Sequence, residues 1–289
     1  MDPLTMHLAS GASLFSGGAL LVLAIGLSCL RRGRWATIAR NLLAWLGLAL
    51  VFGSATPYPL WVDGLILTFF LAWFLSEEIA RVRRFFAPPP ARIALAALVV
   101  LVAAWEAVYL TVPQVPSGRG SRLYVIGDSI SAGIGDRHPP WPEVLATVYR
   151  IPVTNLSKAG SDVSEALAWV RQIVEPNAVV LIEIGGNDLL NGTSSQEFAG
   201  HLAALLAAGV RPDRMVVMLE LPLIPLSAGY GRAQRDLAAQ HGVFLIPKRY
   251  FAAVLSAPGA SLDGLHLSEA GTHLMADTLF PYLAPAFGR

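Results

Sequence analysis

The chain has 289 residues, of which 54% are hydrophobic and only 14% are charged, and its mean hydropathy is +0.55. Because this is too apolar for one soluble domain, the composition predicts a membrane part joined to a globular part. The formal charge of +1 gives no indication of a nucleic-acid partner, and the single cysteine, Cys29, excludes an intrachain disulfide and a cysteine-based metal cluster.

Four apolar stretches in the first 112 residues are candidates for membrane-spanning helices. The first runs for 19 residues without a charge, about the length that crosses a hydrocarbon core. Arginines follow this stretch and none precedes it, the reverse of the order in a signal peptide, so we interpret it as a retained span. The four candidate spans are Ala12–Leu30, Asn41–Ala55, Leu60–Leu75 and Ile93–Val112.

The arginines predict how these spans are oriented. The loops between spans one and two and between spans three and four are rich in arginine, whereas the N-terminal tail and the remaining loop carry no lysine or arginine. By the positive-inside rule both arginine-rich loops are cytoplasmic, which places everything after Val112 outside the cytoplasm. The preference for arginine over lysine favours a bacterial source, and hence a periplasmic domain on the inner (plasma) membrane. The loop arginines are Arg31, Arg32, Arg34 and Arg40, then Arg81, Arg83, Arg84 and Arg92.

Two acidic residues, Asp63 and Glu106, lie within the candidate spans, in the outer half of the bilayer by this topology. Intramembrane carboxylates are costly and often functional. Each could lie close enough to the interface to reach water or a neighbouring helix, or the two could form a polar notch that grips part of a substrate or partner. Trp61, Trp105 and Tyr109 fall near the outer ends of spans three and four, as expected of interfacial aromatic residues.

Residues 113–120 are rich in Pro and Gly and predict a linker between two regions. The sequence thus divides into a transmembrane region over residues 1–112, this linker, and a globular domain over residues 121–289. In that domain short, continuously apolar runs alternate with helical patterns, which predicts an α/β fold with a parallel sheet buried on both faces. The predicted strands are Leu123–Ile126, Val153–Leu156, Val179–Ile184, Met215–Leu219 and Val243–Ile246. The predicted helices are Trp141–Tyr149, Val163–Val174, Ser195–Ala208, Arg232–His241 and Glu269–Leu283.

The first predicted strand presents a serine at its carboxyl end, where parallel sheets place their ligand sites. This serine is part of the first of four sequence blocks, which read Val125-Ile126-Gly127-Asp128-Ser129-Ile130-Ser131, Asn155-Leu156-Ser157-Lys158-Ala159-Gly160, Gly185-Gly186-Asn187-Asp188 and Asp263-Gly264-Leu265-His266. In this order the blocks resemble the SGNH (GDSL-type) hydrolase family, and in particular its thioesterase/lysophospholipase-like branch. The resemblance covers the whole globular domain, with Ile130 in place of the family's leucine. It implies a flavodoxin-like, five-stranded parallel sheet flanked by helices.

A serine hydroxyl becomes a good nucleophile only when a base takes its proton, and the base needs a partner that stabilises its charged form. Ser129, His266 and Asp263 are the candidates for these roles, since one loop can deliver an acid and a base three residues apart. The resemblance assigns the oxyanion hole to the backbone N–H groups of Ser129 and Gly160 and to the side-chain amide of Asn187. The histidines outside the blocks have no paired ligand spacing, so we assign no metal and no cofactor.

Four further acidic residues in these blocks and strands are assigned hydrogen-bonding roles and not catalytic ones. Asp128 and Asp188 are interpreted as loop hydrogen-bonders. Glu183 and Glu220, which fall in the region of predicted strands, are expected to make buried hydrogen bonds.

The leading interpretation is a membrane-anchored serine esterase that hydrolyses an O-acyl (carboxylic) ester of a cell-envelope glycan or lipid through an acyl-enzyme. An O-acyltransferase with the same triad and a catalytically silent envelope scaffold are the alternatives. The linker of about ten residues enters the sheet at the end opposite Ser129. It therefore predicts a catalytic edge turned sideways or away from the lipid, which favours a glycan ester, and only a fully stretched linker could turn this edge onto the membrane.

Overall fold

A computed structural model of the protein describes residues 3–30, 33–78, 88–134, 138–224 and 227–289. They form a helical region (residues 3–110) followed by an α/β region (residues 123–287). The helical region consists of α1 (Pro3–Ala9), α2 (Ala12–Cys29), α3 (Arg34–Gly53), α4 (Leu60–Glu78) and α5 (Pro88–Ala107), with a 3-10 turn over Val108–Leu110.

Helices α2 to α5 are long and apolar enough to span a membrane, which confirms the four predicted apolar helices and indicates membrane anchoring. Helix α3 begins at Arg34 instead of the predicted Asn41, and α4 continues past Leu75 to Glu78. The helices are longer than the predicted spans because hydropathy marks only the residues in the apolar layer. Helical hydrogen bonding continues through the polar residues on either side of that layer. Five arginines of the predicted cytoplasmic loops lie outside the described residues: Arg31, Arg32, Arg81, Arg83 and Arg84.

The two ends of the helical region differ in chemistry. At one end Arg40 and Arg92 form ion pairs with Glu77, at the close of α4. The other end, formed by the N-terminus of α4 and the C-termini of α3 and α5, meets the α/β region. Between the ends α2 and α3 pack closely, since a Cβ on Gly17 would lie 2.7 Å from the carbonyl oxygen of Gly47. The basic end of the bundle and the α/β region are therefore on opposite sides of the apolar layer.

The α/β region contains five parallel strands in the spatial order β2-β1-β3-β4-β5. Each predicted strand is confirmed to within one residue at either end, and β3 is buried along its whole length. Because β2 and β3 lie on opposite sides of β1, the topological switch point falls between the carboxyl ends of β1 and β3. The strands are β1 (Leu123–Gly127), β2 (Val153–Asn155), β3 (Val179–Glu183), β4 (Met215–Leu219) and β5 (Phe244–Ile246).

Helices cover the sheet. The sequence pattern does not predict the single-turn helices α6 and α9, which follow β1 and β3, nor the two helices α1 and α12. Both are short, seven and nine residues, and isolated helices of that length are unstable in water. They form because they pack on one another and on α2 and α13. The helices of this region are α6 (Ser129–Ala132), α7 (Trp141–Thr147), α8 (Val163–Val170), α9 (Gly186–Leu190), α10 (Ser195–Gly209), α11 (Ala228–His241), α12 (Lys248–Ser256) and α13 (Glu269–Leu283).

Buried polar contacts join the two regions. Arg235 on α11 donates hydrogen bonds of 2.6 and 2.9 Å to Glu106, near the end of α5, and one of 2.7 Å to Glu220. Lys248 Nζ donates to the carbonyl oxygen of Ala55, 2.5 Å away. The buried hydrogen bond expected of Glu220 is confirmed, and Glu106 contacts the α/β region.

The second acid of the predicted spans, Asp63, has a local partner. It accepts a hydrogen bond of 3.1 Å from the hydroxyl of Tyr58. The carbonyl oxygen of Tyr58 in turn accepts a hydrogen bond of 2.8 Å from Arg232 on α11. Asp63 thus belongs to the same contact zone between the regions.

The carboxyl edge of the sheet faces the helical region. Glu220 follows β4 and Lys248 follows β5, and Ser129 follows β1 at the same edge. The prediction that the catalytic edge turns sideways or away from the lipid is therefore wrong. The reason is the path of the linker: residues 111–122 contain neither helix nor strand, and the backbone N–H of Gly118 donates to Pro285 near the C-terminus. The chain thus runs along the outside of the α/β region to reach the far end of β1.

Candidate active site

Ser129 is the first residue of α6, directly after the turn that ends β1. The Asp128 carboxylate accepts a backbone hydrogen bond of 3.0 Å at the start of this short helix and so caps it. A Cβ on Gly127 would lie 2.7 Å from Ser131 Oγ and 2.8 Å from the carbonyl oxygen of Glu183. Glycine at position 127 therefore lets α6 fold back against β3.

A buried chain of hydrogen bonds lies beneath Ser129. Trp141 Nε1 donates to Ser131 Oγ, 3.1 Å, and Ser131 Oγ donates to the Glu183 carboxyl group, 2.6 Å. Asn155 Nδ2 donates to the carbonyl oxygen of Ser131, 2.8 Å, and ties the end of β2 to α6. The buried hydrogen bond expected of Glu183 is confirmed. Because each member is satisfied, the network fixes the position of α6.

Two carboxyl groups beneath the serine have raised pKa values. Burial raises the pKa of Glu183 well above its usual value, and the nearby charge of Asp128 adds to the effect. Burial also raises the pKa of Asp128, to about 6, although the backbone hydrogen bond from Ile130 and the charge of His266 oppose the shift.

His266 and Asp263 form a close pair on the loop before α13. His266 Nδ1 lies 2.6 Å from Asp263 Oδ2. Asp263 Oδ1 accepts hydrogen bonds from the backbone N–H groups of Leu265 and His266, at 2.9 and 2.8 Å. The side-chain bond from His266, followed by these backbone bonds, holds the pKa of Asp263 well below its usual range. An ionised Asp263 orients the imidazole through Nδ1, so that Nε2 is the nitrogen that can take a proton.

The structure places Ser129 and the His266–Asp263 pair at one sheet edge without a direct bond between them. Within the described ranges no hydrogen bond joins Ser129 Oγ to the imidazole. The charge of His266 acts on Asp128, so the imidazole lies near the start of α6. Bonds between a nucleophile and its base are often long in the free enzyme and shorten in the substrate complex.

The residues expected to form the oxyanion hole follow β1, β2 and β3: Ser129 begins α6, Gly160 lies on a loop, and Asn187 lies in α9. Gly160 has φ +80°, and no atom lies within 4 Å of the place its Cβ would take, so its backbone is accessible. Asn187 Nδ2 donates to the carbonyl oxygen of Ser161, 2.9 Å, which leaves a second amide hydrogen for a ligand. The N–H of Lys158 donates to Gly127, 3.1 Å, so the loop with Gly160 reaches the end of β1.

A pocket of about 70 Å³ lies at Ser129 and Asn187. Its apolar walls come from α6, α9, the loop after β4, α12 and the loop before α13. Sequence reasoning did not find these wall residues; the spacing of Phe251 and Leu255, four apart on one helix face, was the available signal. The apolar lining consists of Ile130, Leu190, Leu221, Pro222, Phe251, Leu255 and Leu265.

The remaining acid of the sequence blocks has a structural role in the loops. Asp188 Oδ2 accepts a hydrogen bond of 3.0 Å from the backbone N–H of Val163 at the start of α8. This confirms the interpretation of Asp188, like that of Asp128, as a loop hydrogen-bonder.

A parallel sheet with this strand order, a serine after the first strand and a His–Asp pair before the last helix is the architecture of an SGNH-type hydrolase. Residues 125–274 match the GDSL-like lipase/acylhydrolase family, and the chain belongs to that family. The protein is accordingly a carboxylic ester hydrolase.

Relatives from bacteria cover the α/β region. Esterase TesA of Pseudomonas aeruginosa is 29% identical over 177 residues, which are 56% of this chain and 88% of that protein. Thioesterase 1/protease 1/lysophospholipase L1 of Escherichia coli K12 is 28% identical over 180 residues, 56% of this chain and 83% of that protein. The crystal structure of TesA superimposes with a TM-score of 0.52 and 27% identity, over 57% of this chain and 99% of that one.

Proposed function

We propose that the protein is a membrane-anchored, extracytoplasmic serine esterase whose catalytic domain is residues 121–289. Ser129 is the nucleophile, His266 the general base and then acid, and Asp263 the partner that orients the imidazole and stabilises its charged form. The backbone N–H groups of Ser129 and Gly160 and the amide of Asn187 bind the oxyanion; one such donor is worth about 2.7–4 kcal/mol in a studied protease.

The observation that carries this proposal is the convergence of separate loops on one sheet edge. The 2.6 Å contact between His266 and Asp263 supports a base held by an ionised acid. Ser129 and Asn187 line the same pocket, and Asn187 is bonded to the residue after Gly160. Acyl transfer requires a nucleophile, a histidine base with its acidic partner, and oxyanion donors. The expected residues for all three lie at the topological switch point.

The size and position of the pocket support a short acyl group on an envelope component. The pocket is apolar, but at about 70 Å³ it is far smaller than the roughly 300–1,000 Å³ of sites that enclose a whole drug-sized ligand. The alcohol part of the ester then lies outside the pocket, at an edge that faces the membrane helices. We therefore propose a short O-acyl ester of a cell-envelope glycan or lipid that is present at the membrane surface.

The test is labelling of the full chain in detergent with a fluorophosphonate, together with turnover of a short activated ester. We expect wild type to be labelled, and Ser129→Ala and His266→Ala to lose about 10³-fold or more in turnover, since triad members act as a unit. His201→Ala, a histidine outside the sequence blocks, should retain activity.

Two outcomes would count against the esterase. Full turnover by Ser129→Ala would remove the serine mechanism, and unlabelled, inactive wild type would favour the catalytically silent scaffold. Repeating the turnover with an added hydroxyl acceptor separates hydrolysis from O-acyl transfer.

A further inference from the structure

A cavity of about 590 Å³ lies between the helical region and α12, separate from the pocket at Ser129. Met6 on α1, Phe15 on α2 and Leu110 after α5 form its walls on one side, and Ala252 and Ala253 form them on the other. Phe251 and Leu255, on another face of α12, line the pocket at Ser129 instead. Helix α12 is thus a wall between two sites, and the larger one falls in the size range of ligand pockets.

The position of this junction cavity indicates an amphiphilic ligand. Phe15 belongs to the first turn of α2 and Leu110 to the end of the fourth apolar span. Both therefore lie where the hydrocarbon layer gives way to water at the end of the bundle that meets the α/β region. A ligand with a hydrocarbon chain could lie against these side chains and extend its polar end towards α12.

The charged groups around the junction cavity favour an anion at that polar end. Glu106 and Glu220 both line the cavity, but both bind Arg235. Lys248 is 1% exposed and, in the part of the chain that the structure describes, its ammonium group makes one hydrogen bond. An ammonium group has three donors, so two remain.

Arg249 is the second cation that lines the junction cavity. It donates to the carbonyl oxygen of Leu110. Arg235, Lys248 and Arg249 together outnumber the two carboxylates, while the imidazole of His7 bonds Ser16. Arg235 does not line the cavity, but it binds both carboxylates that do, so Lys248 and Arg249 are the lining cations whose charge no lining carboxylate hydrogen-bonds among the residues described. These two cations attract an anionic group.

We propose that the junction cavity binds an anionic phospholipid of the surrounding membrane, with an acyl chain against Met6, Phe15 and Leu110 and its phosphate at Lys248 and Arg249. The bound lipid would fill the space between the anchor and α12. This site is independent of the esterase chemistry proposed above.

The experiment is native mass spectrometry of the full chain released from detergent after incubation with phosphatidylglycerol or phosphatidylcholine. We expect wild type to retain phosphatidylglycerol with an affinity about tenfold above that for phosphatidylcholine, because both lipids carry a phosphate but the choline ammonium is repelled by Lys248 and Arg249. Ala253→Trp, which fills the cavity, should abolish retention. The matched control is Ala239→Trp, an exposed alanine on α11 that lines no described cavity, and it should retain the lipid. Lys248→Gln should remove most of the preference for phosphatidylglycerol.

Each alternative outcome overturns the proposal. Equal retention by Ala253→Trp and Ala239→Trp would exclude this cavity, and equal retention of the two lipids by wild type would exclude selection of a headgroup with net negative charge. Displacement of the lipid by inorganic phosphate would show a site for a soluble anion. Thermal unfolding confirms that the variants fold; if Ala253→Trp does not, Ser256→Trp fills the same cavity from the next turn of α12.

Discussion

The position of Ser129 depends on a carboxyl group that does not reach solvent. Glu183 is 1% exposed, accepts a hydrogen bond from Ser131, and has a pKa raised chiefly by burial. A raised pKa means that the folded protein holds this proton more tightly than the unfolded chain does. The contribution of Glu183 to stability is therefore fully present below its ordinary pKa of 4.5 and is lost as the pH rises through the folded value.

We expect Glu183→Gln to flatten the dependence of Tm on pH. Glutamine keeps an oxygen that can accept the hydrogen bond from Ser131, and it cannot ionise. Near pH 5 the two proteins should have similar Tm values, whereas near pH 8 the variant should be more stable by about 1 kcal/mol or more, or roughly 2–4 °C for a chain of this size. Thermal unfolding of the full chain in detergent over this range measures the difference. The matched control is Glu165→Gln on the exposed face of α8, which should follow wild type; parallel curves for wild type and Glu183→Gln would contradict the prediction.

The sequence indicates the expected site residues better than it indicates the buried hydrogen bonds that hold them in place. The four blocks located Ser129, Gly160 and Asn187 because each expected role needs a particular residue type after a strand. They also located the His266–Asp263 pair, whose members are close in the chain. The hydrogen bond from Ser131 to Glu183 spans 52 residues, and no local pattern predicts which buried donor an acid in a strand will meet.

Element boundaries were predictable where the elements carry their own signal. Each strand is a continuous apolar run, and such runs mark strands buried on both faces. Helix α12 gives no such signal, since it begins with Lys248 and Arg249 and depends on its neighbours. Lysine is almost never fully buried unless it is paired, and the pairing of Lys248 with Ala55 joins elements that are 193 residues apart.

The contact between α5 and α11 leads to a prediction about the anchor. Glu106→Gln removes the charge that Arg235 meets at the end of α5. We expect a loss of about 1–3 kcal/mol, the cost of a poorly satisfied buried group. Breaking a buried ion pair completely costs about 3–5 kcal/mol, but Glu220 still pairs with Arg235 here. Hydrogen exchange of the full chain should accelerate in α11 and α12 and stay unchanged in α7.

A second carboxylate provides the control for this variant. Glu78 pairs with Arg40 at the opposite end of the bundle and its side chain is 39% exposed. Glu78→Gln should leave exchange in α11 and α12 as in wild type, because this pair lies at the end of the bundle remote from both helices. Unchanged exchange in Glu106→Gln would mean that the contact does not hold the two regions together.

At the scale of the whole molecule, the chain enters the sheet from the side remote from the membrane helices. A linker of about ten residues could turn the catalytic edge onto the membrane only if it were fully stretched, so an edge turned sideways or away was expected. In the structure residues 111–122 run along the α/β region to the far end of β1, because the buried contacts of Arg235 and Lys248 with the helical region fix the carboxyl edge beside the helices. Burying these charges without partners would be costly, and this outweighs the conformational freedom that an extended linker loses. Such long-range pairing cannot be read from sequence. The predicted orientation of the catalytic edge, away from the lipid, was therefore wrong.

The orientation of the molecule in the membrane remains a prediction, and the two ends of the bundle support it. Arg40 and Arg92 lie at the end remote from the α/β region, and the other arginines of the same loops precede them in sequence. By the positive-inside rule that end is cytoplasmic, so Ser129 is outside the cytoplasm. Alkaline phosphatase fused after Arg289 should therefore be active, whereas a fluorescent protein fused at the same place should not fluoresce. The same two reporters inserted near Arg83 should give the opposite result. As a control, replacing the loop arginines other than Arg40 and Arg92 by glutamine should weaken this asymmetry while leaving ester turnover by purified protein intact. The reverse pattern in wild type would place the catalytic edge in the cytoplasm and remove envelope esters from its possible substrates.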